Sequence, residues 1–407
     1  MPKSMTGYIS AGVLIGGIAF IAYAGVPKEP KALFEETCSL CHSLDAPKAQ
    51  HMSRTSWEAT VLKMRFYGLW IGDEDANIII DYLSATYGEK QFWEEVSREG
   101  MVFGEGVVAD PNGMVYFSSM TRALPPGPDN PGGTIFVFDP STGKTTKSLE
   151  PSGMSNGLHF DLNGDLLIAQ DSGGEGKGGG RAVMRRKLAT GAMSVVADRY
   201  QGKHFNGPND LTSDAKGRVY FTDARYDGTE PMELPNAVYR VDPDGKVTQI
   251  STDIFRPNGI EVSPDGKRLY VAAANAKTLP TNPNGPAVDK FGITLGGIVV
   301  YDLDSGGNIS NGRLFFRNDF LMVDGMAMDR QGNLCVAMHN GNPKAPQSGI
   351  VVLNPEGQIV ERILTPDEGL TTQLGFGRGA DAGSLYVTTA FPIRLYRIKT
   401  VREGHYF

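Results

Sequence analysis

Cysteine is scarce in this chain, three in 407 residues, and histidine is little commoner at six. A zinc centre, which draws on thiolates and imidazoles, has few donors available. No basic patch is present, and the net charge of −7 with a pI of about 5.5 gives nothing to neutralise a phosphate backbone, which excludes nucleic acid as a partner. The glycine-rich run DSGGEGKGGG at 171–180 lacks the lysine-serine/threonine ending and following helix of a phosphate-binding loop, so it reads as a hairpin loop. What the chain does have is 51 glycines, 25 prolines and 40% hydrophobic residues, the composition of a turn-rich β protein with a large core.

The stretch PNGIEVSPDGKRLYVAAA at 257–274 sets the pattern: a short strand opened by Asn258, a turn at Asp265-Gly266 and an alternating apolar strand through Leu269 and Val271. The unit recurs with turn glycines at Gly113, Gly164, Gly217, Gly266, Gly332 and Gly383, spaced 51, 53, 49, 66 and 51 residues apart. That is the period of propeller blades. Third strands follow at 133–139, 236–242, 296–302 and 348–354, often with a fourth behind them. The expected fold is mainly β: six copies of four strands in a six-bladed β-propeller over 91–407. The insertion at 275–297 accounts for the longest period and is the lid candidate, while 121–132 is a second long loop.

Eight positions before the turn glycines stand Glu105, Asn156, Asn209, Asn258 and Asp324. In the sixth copy two extra residues, attributed to a local bulge, make Gln373 the counterpart. Equal offsets on equivalent strands put these side chains at one level at the mouth of the central channel. Converging neutral and acidic oxygen donors suit a hard cation such as Ca²⁺, with Mn²⁺ or Zn²⁺ as alternatives.

FGEGVVAD, GPNDLTSDAKGRVYFTD, RPNGIEVSPDGKRLYVA, VDGMAMDRQGNL and TTQLGFG resemble the blade motifs of the senescence-marker-protein, gluconolactonase and luciferin-regenerating-enzyme family, over roughly residues 95–400. The resemblance implies a divalent metal held by Glu105, Asn209, Asn258 and Asp324, and it leaves Asn156 and Gln373 to the substrate. Gln373 departs from the family's usual asparagine by one methylene. Asp324 doubles as the carboxylate nearest the attacking water, and His204, in the loop KHFNGPND, is the second catalytic candidate. His159 reads as a satisfied structural histidine within a strand, His339 as a strand-end residue and Cys335 as a small buried apolar one.

The N-terminal part is of another kind. Tyr8 to Val26 is an uncharged apolar run of nineteen residues, long enough to span a bilayer, while Ala22-Tyr23-Ala24 also fits a cleavage site. As an anchor or a signal peptide over 1–27, it sends the body of the protein to the periplasm. Cys38-Ser39-Leu40-Cys41-His42 is the attachment signal for c-type haem: two thiols for the vinyl groups and a histidine as proximal ligand. An incidental disulfide or zinc half-site is the bland alternative, and no second ligand pair lies nearby. TSWEATVLKMRFYG reads as an amphipathic helix and DEDANIIIDYLSATYG as a closing one, so 28–90 resembles a small all-α monohaem cytochrome c domain. Met64 is the favoured sixth ligand over Met52, with His51 a weaker alternative, and EKQFWEEVSR at 89–98 is a connecting segment packed on the propeller.

Together these features point to an exported, metal-dependent lactonase for sugar-type lactones, whose haem transfers electrons, with a periplasmic dehydrogenase or another protein as redox partner. Two alternatives remain. A quinone-dependent sugar or alcohol dehydrogenase could reduce its own haem, although the channel mouth lacks the arginine and lysine cluster a quinone tricarboxylate needs. The propeller could also be a docking platform with a structural metal.

Overall fold

The computed structural model describes residues 29–40, 43–44, 47, 54–66, 68–87, 93–120, 132–171, 179–226, 232–275, 289–339, 348–366, 370–390 and 392–407. The apolar run at 8–26 and most of the lid candidate lie outside them. Among the described residues no helix is long and apolar enough to cross a membrane. The chain divides into two compact units, residues 1–51 with 57–88, and 52–56 with 89–407.

The first unit is helical. Helix α1 spans Pro30–Cys38; proline fits its first position, and the Glu29 carboxylate accepts from the Ala32 amide at 3.0 Å. Helices α2, Arg54–Phe66, and α3, Asp73–Tyr87, follow, the latter opened by Asp73, Glu74 and Asp75, whose charges favour a helix N-terminus. Leu33, Phe34, Trp57, Val61, Ile79, Ile80 and Leu83 are buried, and Phe34 meets the Tyr82 ring at 5.4 Å.

The second unit is a propeller of six four-stranded antiparallel sheets. The inner strands are Gly104–Ala109, Ser155–Phe160, Pro208–Ser213, Pro257–Val262, Met322–Met328 and Thr371–Phe376. Each contacts the next and the sixth contacts the first, which closes the ring. The first hairpin of most blades follows one local rule. Asp110, Asp161, Asp214 and Asp329 each accept from the amides two and four residues on, and the glycine after them adopts positive φ, +87° at Gly113 and +74° at Gly217. Ser263 takes the aspartate's place in blade four.

Two features depart from the sequence reading. The connecting segment at 89–98 contains a strand, Trp93–Ser97, which is the outermost strand of blade six, paired with Ile393–Lys399. Arg397 and Arg394 bond Glu94 and Glu95 at 2.6 and 2.7 Å, and the Trp93 ring meets Tyr396 edge-on at 5.5 Å. Blade six is thus completed by the opposite end of the propeller sequence, which gives it four strands like the other five blades. Second, its first hairpin turns through a 3₁₀ segment, Gly379–Asp381, with positive φ at Gly379 instead of Gly383.

Candidate metal centre

Every inner strand begins with the same irregularity. Gly104 pairs with Ser119 but Val107 pairs with Phe117, so Glu105 and Gly106 together oppose one residue. The same two-against-one step holds Asn156-Gly157, Asn209-Asp210, Asn258-Gly259 and Asp324-Gly325. Such a bulge bends the strand and re-aims its side chains. Repeated six times around a closed ring, it places Glu105, Asn156, Asn209, Asn258 and Asp324 at equivalent, buried positions.

In blade six Thr371 pairs with Thr389 and Leu374 with Val387, so the residue equivalent to Glu105 is Thr372, and Gln373 stands one step further along. The bulge expected only in the sixth copy is common to all. The extra residues that displaced the count belong to the 3₁₀ turn at Gly379–Asp381.

The second bulge position explains the recurring glycines. A methyl group at Gly106 would overlap the Asn156 carbonyl oxygen, and one at Gly259 the Asp324 carbonyl oxygen, because the inner strands crowd together near the axis. Only blades three and six carry side chains there, Asp210 and Gln373, and these join: Gln373 Nε2 donates to Asp210 Oδ2 at 3.1 Å. Glycine makes room for both, since methyls at Gly157 and Gly325 would strike Asp210 Oδ1 and Gln373 Oε1.

Hydroxyls opposite the bulges fix the ring from outside. Ser118, Thr222 and Thr388 donate to the main-chain oxygens of Asn156, Asn258 and Glu105 in the following blade at 2.6–2.7 Å. At Asp324, Oδ2 lies 3.0 Å from His339 Nε2. Asn156 is 3% exposed, and its Nδ2 is buried without a hydrogen-bond partner among the described residues.

Further along the channel, Asp210, Glu261, His159, Thr212 and Gln373 line a cavity of about 60 Å³ whose wall includes the C-terminal His405, Tyr406 and Phe407. Burial pushes the Asp210 carboxyl up to about 7, and the negative charge of Asp324 adds to the rise. Burial likewise raises Glu261 to about 8, with Asp210 as the second cause. His159 falls to about 4, through burial and then Arg378, and its Nε2 lies 3.0 Å from Ser213 Oγ: a neutral structural imidazole.

Among the described residues no group of three or more histidines, cysteines, aspartates and glutamates could hold a metal. The ring offers instead two carboxylates, Glu105 and Asp324, and three amides, a donor set that fits a hard cation and not a thiolate- or imidazole-seeking one. His204 does not join it. It sits in a two-residue ribbon, Lys203–His204 against Arg199–Tyr200, beside the outer strand of blade three, with its amide towards Glu233. His339 and Asp210 were the residues the counting passed over. Asp210 carried a signal, since it stands where four copies have glycine.

Of the haem residues, Cys38 ends α1 half-buried and Met64 is half-buried on α2. Cys41, His42, His51 and Met52 lie outside the described residues. In the same unit Leu40, Phe66 and Trp70 are 77%, 85% and 95% exposed.

Comparison with known proteins places this architecture. A family model described as the SMP-30/gluconolactonase/LRE-like region matches residues 42–175 and 176–391. Gluconolactonase of Zymomonas mobilis is 34% identical over 220 residues, 51% of this chain and 53% of its own length. Lactonohydrolase oryL of Aspergillus oryzae is 28% identical over 244 residues, 56% of this chain and 53% of its own. The chain therefore spans about half the length of these curated relatives. A crystal structure of a calcium-binding protein, regucalcin, from Agrobacterium tumefaciens superposes with a TM-score of 0.58 at 20% identity, covering 78% of this chain and 96% of that one, a likeness of fold. With most of its length under the family model, the chain belongs to the SMP-30/gluconolactonase/LRE-like family.

Proposed function

We propose that this protein is a divalent-metal-dependent lactonase acting on sugar-type lactones. The observation that carries the reading is the ring of oxygen donors at equivalent bulge positions of the inner strands. The named activities of the two curated relatives point the same way. Glu105, Asn209, Asn258 and Asp324 would hold the ion, Ca²⁺ by the chemistry of the donors. When bound, it supplies Lewis-acid polarisation of the lactone carbonyl and a water of lowered pKa. Asp324 accepts the proton of the attacking water on its carboxylate. Asn156, with its buried unpaired Nδ2, donates to a substrate oxygen, because an unmatched buried donor is costly until an acceptor arrives. Gln373, tied to Asp210, bounds the site on the axial side. His204, off in its ribbon, takes no part in this chemistry.

The remaining elements of the proposal rest on sequence. CSLCH at 38–42 supports a c-type haem, which Cys38, Cys41, His42 and Met64 would hold and which would supply one-electron transfer with a redox partner such as a periplasmic dehydrogenase. Exposed Leu40, Phe66 and Trp70 are the kind of apolar surface a haem would cover. The apolar run at 8–26 supports export, with anchoring to the inner membrane.

The test is base uptake in a pH-stat with glucono-δ-lactone and a small lactone panel, with chelator and then re-added Ca²⁺, Mn²⁺ or Zn²⁺, the haem spectrum being recorded on the same sample. Chelator-sensitive turnover with an unchanged haem spectrum is expected. No turnover, but haem reduction on adding a sugar and a quinone, would replace the hydrolase with a dehydrogenase.

A further inference from the structure

His339 has no role in the reading above, yet it is paired with Asp324, which has one. Asp324 occupies the bulge of the blade-five inner strand, and His339 ends the strand beside it, paired with Met322. Both side chains are largely enclosed, 12% and 14% exposed, with Oδ2 and Nε2 3.0 Å apart. With Asp324 serving as an anionic ligand, its oxygens can only accept, so the hydrogen between the two is supplied by the imidazole Nε2. A carboxylate left to itself rotates in a broad, two-fold torsional well and can present either oxygen or both. Engaged by His339, Oδ2 is committed, which leaves Oδ1 as the oxygen available to a cation.

We infer that His339 is a positioning residue that restricts Asp324 to one-oxygen ligation of the divalent cation. The inference rests on the metal reading above and adds a residue to it. His339 acts through the orientation of Asp324 and not as a ligand of its own, as outer-shell partners of ligating carboxylates do. A glutamine here could present an amide N–H from nearly the same place, whereas alanine or leucine could not.

The experiment is calorimetric titration of Ca²⁺ alone into the chelator-stripped full chain, for wild type, His339→Ala, His339→Leu and His339→Gln, with thermal melting of each. His339→Ala and His339→Leu should bind Ca²⁺ about 10- to 100-fold more weakly. His339→Gln should recover most of that loss while melting no higher than the leucine variant. Affinity unchanged in the alanine and leucine variants, or equally poor with glutamine, would overturn the inference and leave the metal reading intact. A wild-type chain that takes up no Ca²⁺ would overturn both. Calcium binding that depends on His339 in a protein hydrolysing no lactone would sustain the inference and retire the lactonase.

Discussion

Gln373 and Asp210 meet across the propeller axis, Nε2 to Oδ2 at 3.1 Å, although they belong to opposite blades, six and three. Asp210 Oδ1 also accepts from its neighbour's amide, Leu211, and Gln373 Oε1 does the same with Leu374. Each side chain is therefore held at its own backbone and reaches out only through its other polar atom. The result is a cross-tie one bulge position on from the donor ring, between two residues that both line the cavity.

Cutting the tie should cost stability. Gln373→Leu leaves the buried Asp210 carboxylate one donor short, and the expected loss is about 1–3 kcal/mol. Urea unfolding should show a lower midpoint with an unchanged slope. An unchanged midpoint would mean that a water replaces the amide at no cost.

Glu261 gives the chain a pH dependence of definite sign. Its carboxyl titrates near 4.5 when unfolded and at about 8 in the fold, chiefly through burial, so the native state prefers it protonated. Stability from this group is fully present below about 4.5, declines between about 4.5 and 8, and is flat above. Glu261→Gln mimics the protonated form, so it should be more stable than wild type at pH 8, by a free energy on the order of several kcal/mol, and should lose the advantage near pH 4.5. Parallel melting curves across that range would show that Glu261 stays ionised in the fold.

Asp324→Ala should lower kcat/KM for lactone by roughly 100-fold or more, since one substitution removes a ligand and the proton acceptor. Chelation of the wild type should reproduce the loss, and added Ca²⁺ should restore the wild type at concentrations that leave the variant inactive. Equal activity of variant and wild type in the pH-stat would dismiss Asp324 from the chemistry.

Gly106→Ala tests the crowding at the axis. The new methyl would overlap the carbonyl oxygen of Asn156, a backbone atom held by Ser118, and neither strand can withdraw without opening the ring. A loss of at least about 2 kcal/mol is expected, beyond the usual range for a small-to-large change on a free surface. Gly164→Ala, with nothing within 4 Å of the new methyl, should show only the smaller cost of its +75° φ.

Much of this fold was legible because its rules are local. The aspartate that caps its own turn and the glycine that supplies positive φ lie within a few residues of each other, so DPNG, DLNG, DAKG and DRQG mark hairpins wherever they occur. Since strand lengths are nearly constant, counting eight back from the glycine found the bulge residues of five blades. The count slipped in blade six, where Gly379–Asp381 lengthens the hairpin, and hydrogen-bond register gave Thr372 the place expected of Gln373.

The sequence by itself determined the repeat, the turns and the identity of the oxygen donors, because spacing along a chain encodes strand, turn and offset. Only the tertiary structure decided what those donors meet. That Trp93–Ser97 completes the last blade, that Gln373 reaches Asp210 and that His339 engages Asp324 depends on strands brought together by ring closure and sheet pairing. Partners separated by 15, 163 or some 300 positions leave no local pattern, since what joins them is burial and register, which exist only once the propeller has closed.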